Sequence, residues 1–236
     1  MPPSESREPR RVREMFGSIA PRYDLLNHLL SFNLDRRWRR RAVRELAPDS
    51  GARVLDLCGG TGDLSVELAR EVREGVVVCC DFCQPMLELA RSKFRKKRLD
   101  DRCVVLGADG LRLPFREATF DAVTVAFGVR NFADLDAGLR EIGRVLRPSG
   151  RLVVLEFSTL QAPVMSRLYR FYLDRVLPRL GDSVSGESGP YGYLARTIGE
   201  FPDVDLLAGR IREAGFAAVG WTTMTGGIVA VHTAIK

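Results

Sequence analysis

The chain has 236 residues, of which 45% are hydrophobic and 28% are charged, a composition typical of a globular protein. It excludes disordered, collagen-like and coiled-coil chains. No apolar run approaches the roughly 18 residues that a membrane-spanning helix needs. No apolar stretch follows the charges of residues 1–16, so no secretory signal is visible. We therefore expect a chain that lies in the cytoplasm.

The net charge of +6 is unevenly distributed, with basic segments at residues 1–50, 91–102 and 164–180. A basic surface can face nucleic acid or an anionic membrane. It can equally be the solvated face of a helix, so charge alone does not identify a partner.

The five cysteines include Cys80 and Cys83 at CxxC spacing, which makes zinc a candidate. A closed zinc site needs four ligands, and both histidines lie far away in sequence. We therefore predict no metal. The strand cysteines are expected to be buried as small apolar residues, namely Cys79, Cys80 and Cys103.

The N-terminal residues are predicted to form a tail and a helical cap. Residues 1–9 contain three prolines and mixed charge and are predicted to be a disordered tail. Apolar residues recur at helical spacing over residues 10–47, which predicts an N-terminal helical cap whose last helix is Asp35–Ala47.

Strands and helices then alternate, which predicts parallel strands joined by crossover helices. The predicted helices are Asp63–Glu71, Gln84–Lys97 and one through Leu135–Leu146 that ends at the breaker Arg147-Pro148-Ser149-Gly150. The predicted strands are Arg53–Cys58, Val76–Cys80, Cys103–Gly107, Phe120–Ala126 and Arg151–Phe157.

The pattern changes after the fifth strand. Residues 160–200 are predicted to be a helical lid, followed by a helix at Asp203–Ala214. Two β-rich runs, Ala217–Met224 and Ile228–Ile235, flank a pair of glycines and predict an antiparallel hairpin. We expect one α/β domain over residues 10–236.

A glycine-rich turn follows the first predicted strand, in the sequence Asp56-Leu57-Cys58-Gly59-Gly60-Thr61-Gly62-Asp63. Ligands of open α/β folds bind at this edge of the sheet, and glycine lets the backbone approach them closely. No Lys-Ser/Thr follows the glycines, so the turn is not a phosphate-binding P-loop. The glycine spacing also differs from the dinucleotide pattern G-x-G-x-x-G. Taken alone, the turn is also compatible with a tight strand-to-helix connection.

Acidic residues follow the next two strands. Asp81 ends the second strand, where a carboxylate can accept both hydroxyls of a ribose, or can act as a helix cap. Asp109 and Gly110 follow the third strand and could contact an adenine, or form a simple turn. Together these residues describe a pocket for an adenosine without phosphates and with a positive charge. S-adenosyl-L-methionine fits this description, because a carboxylate near its sulfonium is favoured by Coulomb attraction.

The chain resembles the ubiquinone/menaquinone biosynthesis C-methyltransferase family from about Met15 to the C-terminus. The blocks that carry the resemblance are Tyr23–Trp38, Val54–Asp63, Leu113–Asp134, Arg144–Ser158 and Tyr191–Leu194. The chain departs from the family pattern at Asp35, Leu111, Ala126 and Ser149. Asp35 stands where the family often has His, which weakens the idea of a base at that position.

The resemblance implies a Rossmann-like class I methyltransferase with a seven-stranded, mostly parallel sheet. It also implies that S-adenosyl-L-methionine is the cofactor. The cofactor-binding residues that we predict are Asp56, Gly59, Gly60, Thr61, Gly62, Asp81, Asp109 and Gly110.

The implied reaction is methylation of a ring carbon of a polyprenyl hydroquinone, either demethylmenaquinol or a methoxy-benzoquinol. We expect Arg130 and Asn131 to orient the quinol oxygen and stabilise its charge, and Tyr23 to close the pocket. Alternatively, Arg130 pairs with an acid, Asn131 caps the following helix, and Tyr23 is a core aromatic residue. His28 could act as a base or be structural, so the base stays open.

A polyprenyl tail lies in the bilayer, which predicts peripheral contact with the inner face of a membrane. Val164–Leu180 interleaves apolar residues with arginines and is a candidate interfacial helix, or a lid helix packed on the domain. The sequence leaves open whether the chain forms a homo-oligomer or joins a quinone-synthesis assembly. We expect no nucleic-acid partner. The rival functions are a methyltransferase with another substrate, an RNA methyltransferase and a non-catalytic cofactor-binding scaffold.

Overall fold

The computed structural model describes residues 8–158 and 189–236, together with Arg167, Phe171, Tyr172 and Arg175. Most of the predicted tail, of the predicted lid at residues 160–200 and of the candidate interfacial helix therefore lies outside the described residues. Pro9, which we placed in the tail, begins the first helix.

A seven-stranded sheet forms the centre of the described chain, with the strand order β3-β2-β1-β4-β5-β7-β6. Strands β1 to β5 run parallel, whereas β7 is antiparallel to both β5 and β6. The predicted parallel sheet with an antiparallel C-terminal hairpin is confirmed. The strands are β1 Arg53–Leu57, β2 Val76–Asp81, β3 Cys103–Gly107, β4 Phe120–Ala126, β5 Leu146–Phe157, β6 Ala217–Met224 and β7 Val229–Ile235.

Strand β5 begins at Leu146, earlier than the predicted start at Arg151. Leu146 pairs with Phe120 on β4, and the register shifts before regular pairing resumes. Within the shift Ser149 adopts a left-handed conformation, with φ at 64°. The proline and glycine of this segment end the preceding helix, as predicted, but pairing with β4 turns the segment into an irregular strand start rather than a loop.

Eight α-helices surround the sheet within the described residues. The predicted bounds of α4 and α5 are confirmed, and α3 starts and ends one residue before its prediction. The helices are α1 Pro9–Ile19, α2 Tyr23–Leu30, α3 Leu34–Leu46, α4 Asp63–Glu71, α5 Gln84–Lys97, α6 Leu135–Val145, α7 Pro190–Gly199 and α8 Val204–Glu213.

Apolar clusters cover both faces of the sheet. Helices α3, α4 and α5 pack on one face, and α6 and α8 pack on the other. The adjacent β1 residues Val54 and Leu55 belong to different clusters, because successive side chains of a strand point to opposite faces. The strand cysteines Cys79, Cys80 and Cys103 are buried among these apolar residues, as predicted.

The N-terminal segment forms three helices, with a short 3-10 turn at Ala20–Arg22 between α1 and α2. Helix α1 contacts α5 and α7, and α2 contacts α3. These helices therefore lie over the edge of the sheet where β1 and β2 end. No helix among the described residues is long and apolar enough to cross a membrane.

Candidate active site

The glycine-rich turn after β1 is shaped by close packing. Gly62 has a positive φ of 81°, and a Cβ atom there would lie 2.7 Å from the ring of buried Phe94. A Cβ atom at Gly59 would lie 2.6 Å from the Cys79 sulfur. Only glycine allows the backbone this approach, so the turn can pass close to α5 and leave space above it.

Asp81, at the end of β2, is fixed by backbone donors. Its Oδ2 accepts from the Gly60 N–H at 2.9 Å, and its Oδ1 accepts from the Cys83 N–H at 2.9 Å. Burial raises the pKa of this carboxyl, and the N–H groups of Cys83, Gly60 and Phe82 oppose the rise. A carboxylate has about four acceptor positions, so Asp81 retains capacity for ribose hydroxyls.

A first cavity lies against this turn, with about 800 Å³ of space that includes its opening to solvent. Asp109 closes its own turn, since its Oδ1 accepts from the Leu111 N–H at 2.9 Å, and it lines the cavity as well. Apolar side chains that we did not predict complete the walls, among them Phe82, Met86 and Phe132. The predicted site residues that line this cavity are Tyr23, Gly60, Asp81, Asp109, Gly110 and Asn131.

Asp56, which we predicted as a cofactor-binding residue, does not line this cavity. Asp56 is fully buried beneath the turn, where its Oδ2 accepts from the Ser65 hydroxyl at 2.5 Å. Burial raises its pKa to about 7, against hydrogen bonds from Ser65 and Thr124. A group in this position supports the turn from below.

Three other predicted residues also lie off the cavity wall: Gly59, Thr61 and Gly62. The Thr61 hydroxyl donates instead to Asp24 Oδ1 on α2, at 2.5 Å. Lys93 on α5 also pairs with Asp24, at 2.7 Å, and with Asp63. These contacts attach α2 to the glycine-rich turn and to α5.

A second cavity adjoins the first and shares Phe16, Tyr23 and Phe127 with it. It offers about 630 Å³ of space, including its opening to solvent. Its other walls include four aromatic residues, Trp38, Phe157, Tyr191 and Tyr193. Polar side chains reach it from α2, α3 and the end of β4, namely Asn27, Asp35, Arg39 and Arg130. The glycine-rich turn and its carboxylates therefore lie beside a neighbouring cavity with several aromatic walls.

Tyr23 stands at the boundary of the two cavities. Burial raises the pKa of its hydroxyl, and the positive charge of Arg130 opposes this rise, as does a hydrogen bond with Asn27. Its ring also packs edge-to-face against Phe16, at 6.0 Å between centroids. Tyr23 is therefore both a packed aromatic residue and a wall of both cavities.

Arg130 is almost fully buried and lies against Glu156 of β5. Its Nη1 is 2.8 Å from Glu156 Oε1, and its guanidinium lies over the Phe157 ring at 5.5 Å from the centroid. Burial raises the pKa of Glu156, and the charge of Arg130 opposes the rise. The acid pairing considered from the sequence is present, yet Arg130 also lines the second cavity.

The Nε of Arg130 is buried and has no hydrogen-bond partner within the described part of the chain. A buried donor without an acceptor is costly and rare in native proteins. Asn131 does not cap α6, because Asp134 does so by accepting from the Ala137 N–H. Asn131 Oδ1 instead accepts from the Tyr193 hydroxyl at 3.1 Å.

Neither histidine lines the two cavities. His28 Nδ1 is 2.8 Å from Asp35 Oδ2, and His232 Nε2 is 2.9 Å from the Val204 carbonyl oxygen. His28, Asp35 and Asp63 are close enough to hold a cation, with ligand atoms within 4.8 Å of one another. The two carboxylates already pair with cations, Asp35 with Arg39 and Asp63 with Lys93, so charge balance in this cluster does not require a metal.

Arg39 and Tyr193 were not predicted as site residues. Both lie in segments that carry the family resemblance or follow it directly, which is the signal that could have found them. Tyr193 donates to the distant Asn131, and Arg39 lies over the distant Phe127 ring while it pairs locally with Asp35. The distant contacts follow no local sequence pattern.

The residues of the first cavity fit S-adenosylmethionine. Glycine backbone and Asp81 lie where a ribose would be held, and Asp109 adds a second carboxylate. Among the lining residues there is no lysine or arginine that could bind a phosphate. The donor set thus suits a cationic nucleoside without phosphates.

Comparison with known proteins agrees with this geometry. The model of the ubiE/COQ5 methyltransferase family matches residues 4–236. A demethylmenaquinone methyltransferase from Thermus thermophilus is 48% identical over 92% of this chain and 98% of its own length. The ubiquinone/menaquinone biosynthesis C-methyltransferase UbiE of a Geobacter strain is 44% identical over 98% of both chains.

Solved structures match in fold at low sequence identity. An S-adenosylmethionine-dependent methyltransferase from Aquifex aeolicus has a TM-score of 0.63 and 19% identity, over 84% of this chain and 88% of that chain. Another from Thermotoga maritima has a TM-score of 0.66 and 18% identity, over 94% and 98%.

The predicted Rossmann-like methyltransferase fold and its cofactor, S-adenosylmethionine, are therefore confirmed. The chain is an S-adenosylmethionine-dependent methyltransferase, and with a family match over nearly its whole length it belongs to the ubiE/COQ5 methyltransferase family.

Proposed function

We propose that the enzyme methylates a ring carbon of a polyprenyl hydroquinone and converts demethylmenaquinol to menaquinol. The observation that carries this proposal is the pair of adjoining cavities that share Phe16, Tyr23 and Phe127. One cavity suits the nucleoside, and the other offers aromatic walls and two arginines to a flat ring that becomes negatively charged.

The names of the relatives favour the naphthoquinol over the benzoquinol. The relatives from Deinococcus radiodurans and Thermus thermophilus, at 49% and 48% identity, are named demethylmenaquinone methyltransferases. Those named for both ubiquinone and menaquinone synthesis have 40–44% identity. Methylation of 2-polyprenyl-6-methoxy-1,4-benzoquinol is the alternative.

S-adenosylmethionine supplies an electrophilic methyl group on a sulfonium. The ring carbon becomes nucleophilic when the neighbouring hydroxyl loses its proton, so the protein must stabilise phenolate charge and exclude water. Arg130 suits this task, because Glu156 and Phe157 hold its guanidinium and its Nε donor is free for an acceptor.

Positioning is the second contribution of the protein. Tyr23 stands between the two cavities, and Asn131 reaches the first cavity while accepting from Tyr193 at the second. In this proposal Tyr23 and Asn131 hold the quinol oxygen and the ring in line with the methyl group. Such alignment can lower the barrier by about 7–11 kcal/mol.

The direct test incubates the protein with isotopically labelled S-adenosylmethionine and each reduced quinone precursor, followed by mass analysis of the ring product. We expect a labelled methyl group on a ring carbon of the naphthoquinol. Binding of S-adenosylhomocysteine, measured by calorimetry, shows that the protein is folded and loaded. Transfer to neither quinol by a protein that binds S-adenosylhomocysteine would refute the quinol assignment.

We also infer that the enzyme acts from the cytoplasm at the inner face of the membrane. The inference follows from the substrate, whose polyprenyl tail lies in the bilayer, and from the net charge of +6, which favours an anionic surface. The predictions of an oligomer or assembly, and of no nucleic-acid partner, stay predictions.

A further inference from the structure

Helix α2 and the turn after it expose an apolar ridge to solvent. The ridge consists of Leu25, Leu29 and Phe32, whose exposed fractions are 62%, 54% and 80%. Residues at this spacing share one side of a helix. Within the described chain nothing covers the ridge, although large exposed apolar residues on adjacent turns commonly mark a contact surface.

The other sides of α2 are occupied, which fixes the orientation of the ridge. Leu26 is fully buried against Tyr191 and Ile198. Tyr23 and Asn27 line the second cavity. The helix therefore forms a wall with the candidate substrate cavity on one side and the exposed ridge on another.

Phe32 is held outward by an unusual backbone. Its φ is 52° and that of Asn33 is 60°, so both adopt the left-handed conformation. For a bulky residue this conformation is a genuine outlier, whereas asparagine tolerates it. The turn is closed by the Asn33 N–H, which donates to the His28 carbonyl oxygen at 2.7 Å. Since Phe32 is mostly exposed, interior packing does not account for the choice of this residue.

A basic cavity lies beside the ridge. Asp24 and His28 line it from α2, and Asp63 and Glu67 from α4. Six cationic residues outnumber these three carboxylates, namely Arg36, Arg39, Arg40, Arg70, Lys93 and Lys97. Three of these pair with carboxylates, and the other three, Arg36, Arg40 and Lys97, have no carboxylate partner among the described residues.

We propose that the ridge docks into the surface of an anionic phospholipid bilayer, with Arg36, Arg40 and Lys97 facing the headgroups. An apolar ridge bordered by unpaired cations is the pattern of an interfacial surface. The proposal rests on the proposed function, because a bilayer on the outer side of α2 would place the tail of a quinol next to the cavity that holds its ring. The Tyr172 hydroxyl donates to the Leu30 carbonyl oxygen at 2.9 Å, which joins the residue after the exposed Phe171 to the end of α2.

A second copy of the chain fits this face less well. A two-fold contact through the ridge would bring the same unpaired cations of both copies together. Like charges at an interface oppose association, whereas anionic headgroups neutralise them.

The test is flotation of the full chain with vesicles of phosphatidylglycerol and phosphatidylcholine, against vesicles of phosphatidylcholine alone. We expect binding that needs the anionic lipid and weakens with salt. Leu29→Ser should weaken it on the order of tenfold. The matched control is Leu206→Ser on α8, because Leu206 is also 54% exposed but lies away from the ridge.

Two further variants test the separate parts of the surface. Phe32→Asn should weaken vesicle binding and leave or raise the melting temperature, because asparagine is better suited to a positive φ. Arg36→Gln and Arg40→Gln should each weaken binding about fivefold, whereas Arg140→Gln on α6 should not.

The outcomes separate this proposal from the proposed function. Methylation of a quinol with a short, water-soluble tail should be unchanged in the ridge variants. Absence of wild-type vesicle binding at low salt would overturn the docking proposal, even with intact methylation. Binding lost equally in Leu29→Ser and Leu206→Ser would do the same, and so would a dimer that only Leu29→Ser dissociates. Vesicle binding without methylation of either quinol would refute the proposed function alone.

Discussion

The buried ion pair of Arg130 and Glu156 allows the structural role of Arg130 to be separated from its proposed catalytic role. The two side chains are 4% and 1% exposed. Glu156→Gln would leave the guanidinium in the interior without its carboxylate, which should lower the unfolding free energy by about 3–5 kcal/mol. Arg130→Gln should cost less, because Glu156 can then take up a proton.

The cost of Arg130→Gln should depend on pH, with a definite sign. Burial raises the pKa of Glu156, and this variant removes the charge that opposes the rise. A carboxyl whose pKa is higher in the folded than in the unfolded protein stabilises the fold while it is protonated. That contribution is fully present below the pKa of the unfolded state, and it is lost as pH rises through the pKa of the folded state. Arg130→Gln should therefore lose stability relative to the wild type as pH rises from acid to neutral.

The double variant Arg130→Gln/Glu156→Gln leaves neither charge, and we expect its stability to return to within about 2 kcal/mol of the wild type. It should bind S-adenosylhomocysteine normally, because Arg130 lies outside the first cavity. Its rate of methyl transfer should fall on the order of 100- to 1000-fold, through loss of phenolate stabilisation.

Urea denaturation at several pH values, calorimetry with S-adenosylhomocysteine and the quinol assay measure these quantities on the same samples. A stable, cofactor-binding double variant with the wild-type rate would show that Arg130 is purely structural. A Glu156→Gln variant as stable as the wild type would contradict the reasoning about the buried charge.

Three other substitutions test the turn and the second cavity. Burial raises the pKa of Asp56 from 3.8 to about 7, so the wild type loses stability as pH rises through this range, whereas asparagine does not titrate. Asp56→Asn should therefore gain up to about 4 kcal/mol of unfolding free energy relative to the wild type between about pH 4 and pH 7. A pH-independent difference in urea denaturation would contradict this. Gly62→Ala should lower the unfolding free energy by about 2–4 kcal/mol, from the positive φ and the contact with Phe94, and an unchanged denaturation midpoint would refute it. Tyr193→Phe removes the hydroxyl that donates to Asn131 and should lower kcat severalfold with S-adenosylhomocysteine affinity unchanged; equal losses in both would point to general damage.

Local patterns in the sequence were enough to predict the sheet and the edge of it at which the first cavity lies. Apolar β-branched runs and glycine-rich turns predicted strand bounds to within one residue, except at the start of β5. Gly60, Asp81 and Asp109 were found because the carboxyl ends of parallel strands meet at one edge of a sheet. The positions of these three residues, each at or just after the end of a predicted strand, were therefore enough to place them together.

Contacts between distant segments required the tertiary structure. Glu156 lies 26 residues after Arg130, and Tyr193 lies 62 residues after Asn131, so no periodicity connects them. Asp56 adjoins the turn in sequence, yet the alternation of side chains along β1 directs it beneath the turn instead of into the cavity. The sequence by itself determined which elements form and that Gly60, Asp81 and Asp109 meet at one cavity, because those depend on short-range geometry. Packing across the whole molecule decided which buried charges pair and which side of α2 faces solvent.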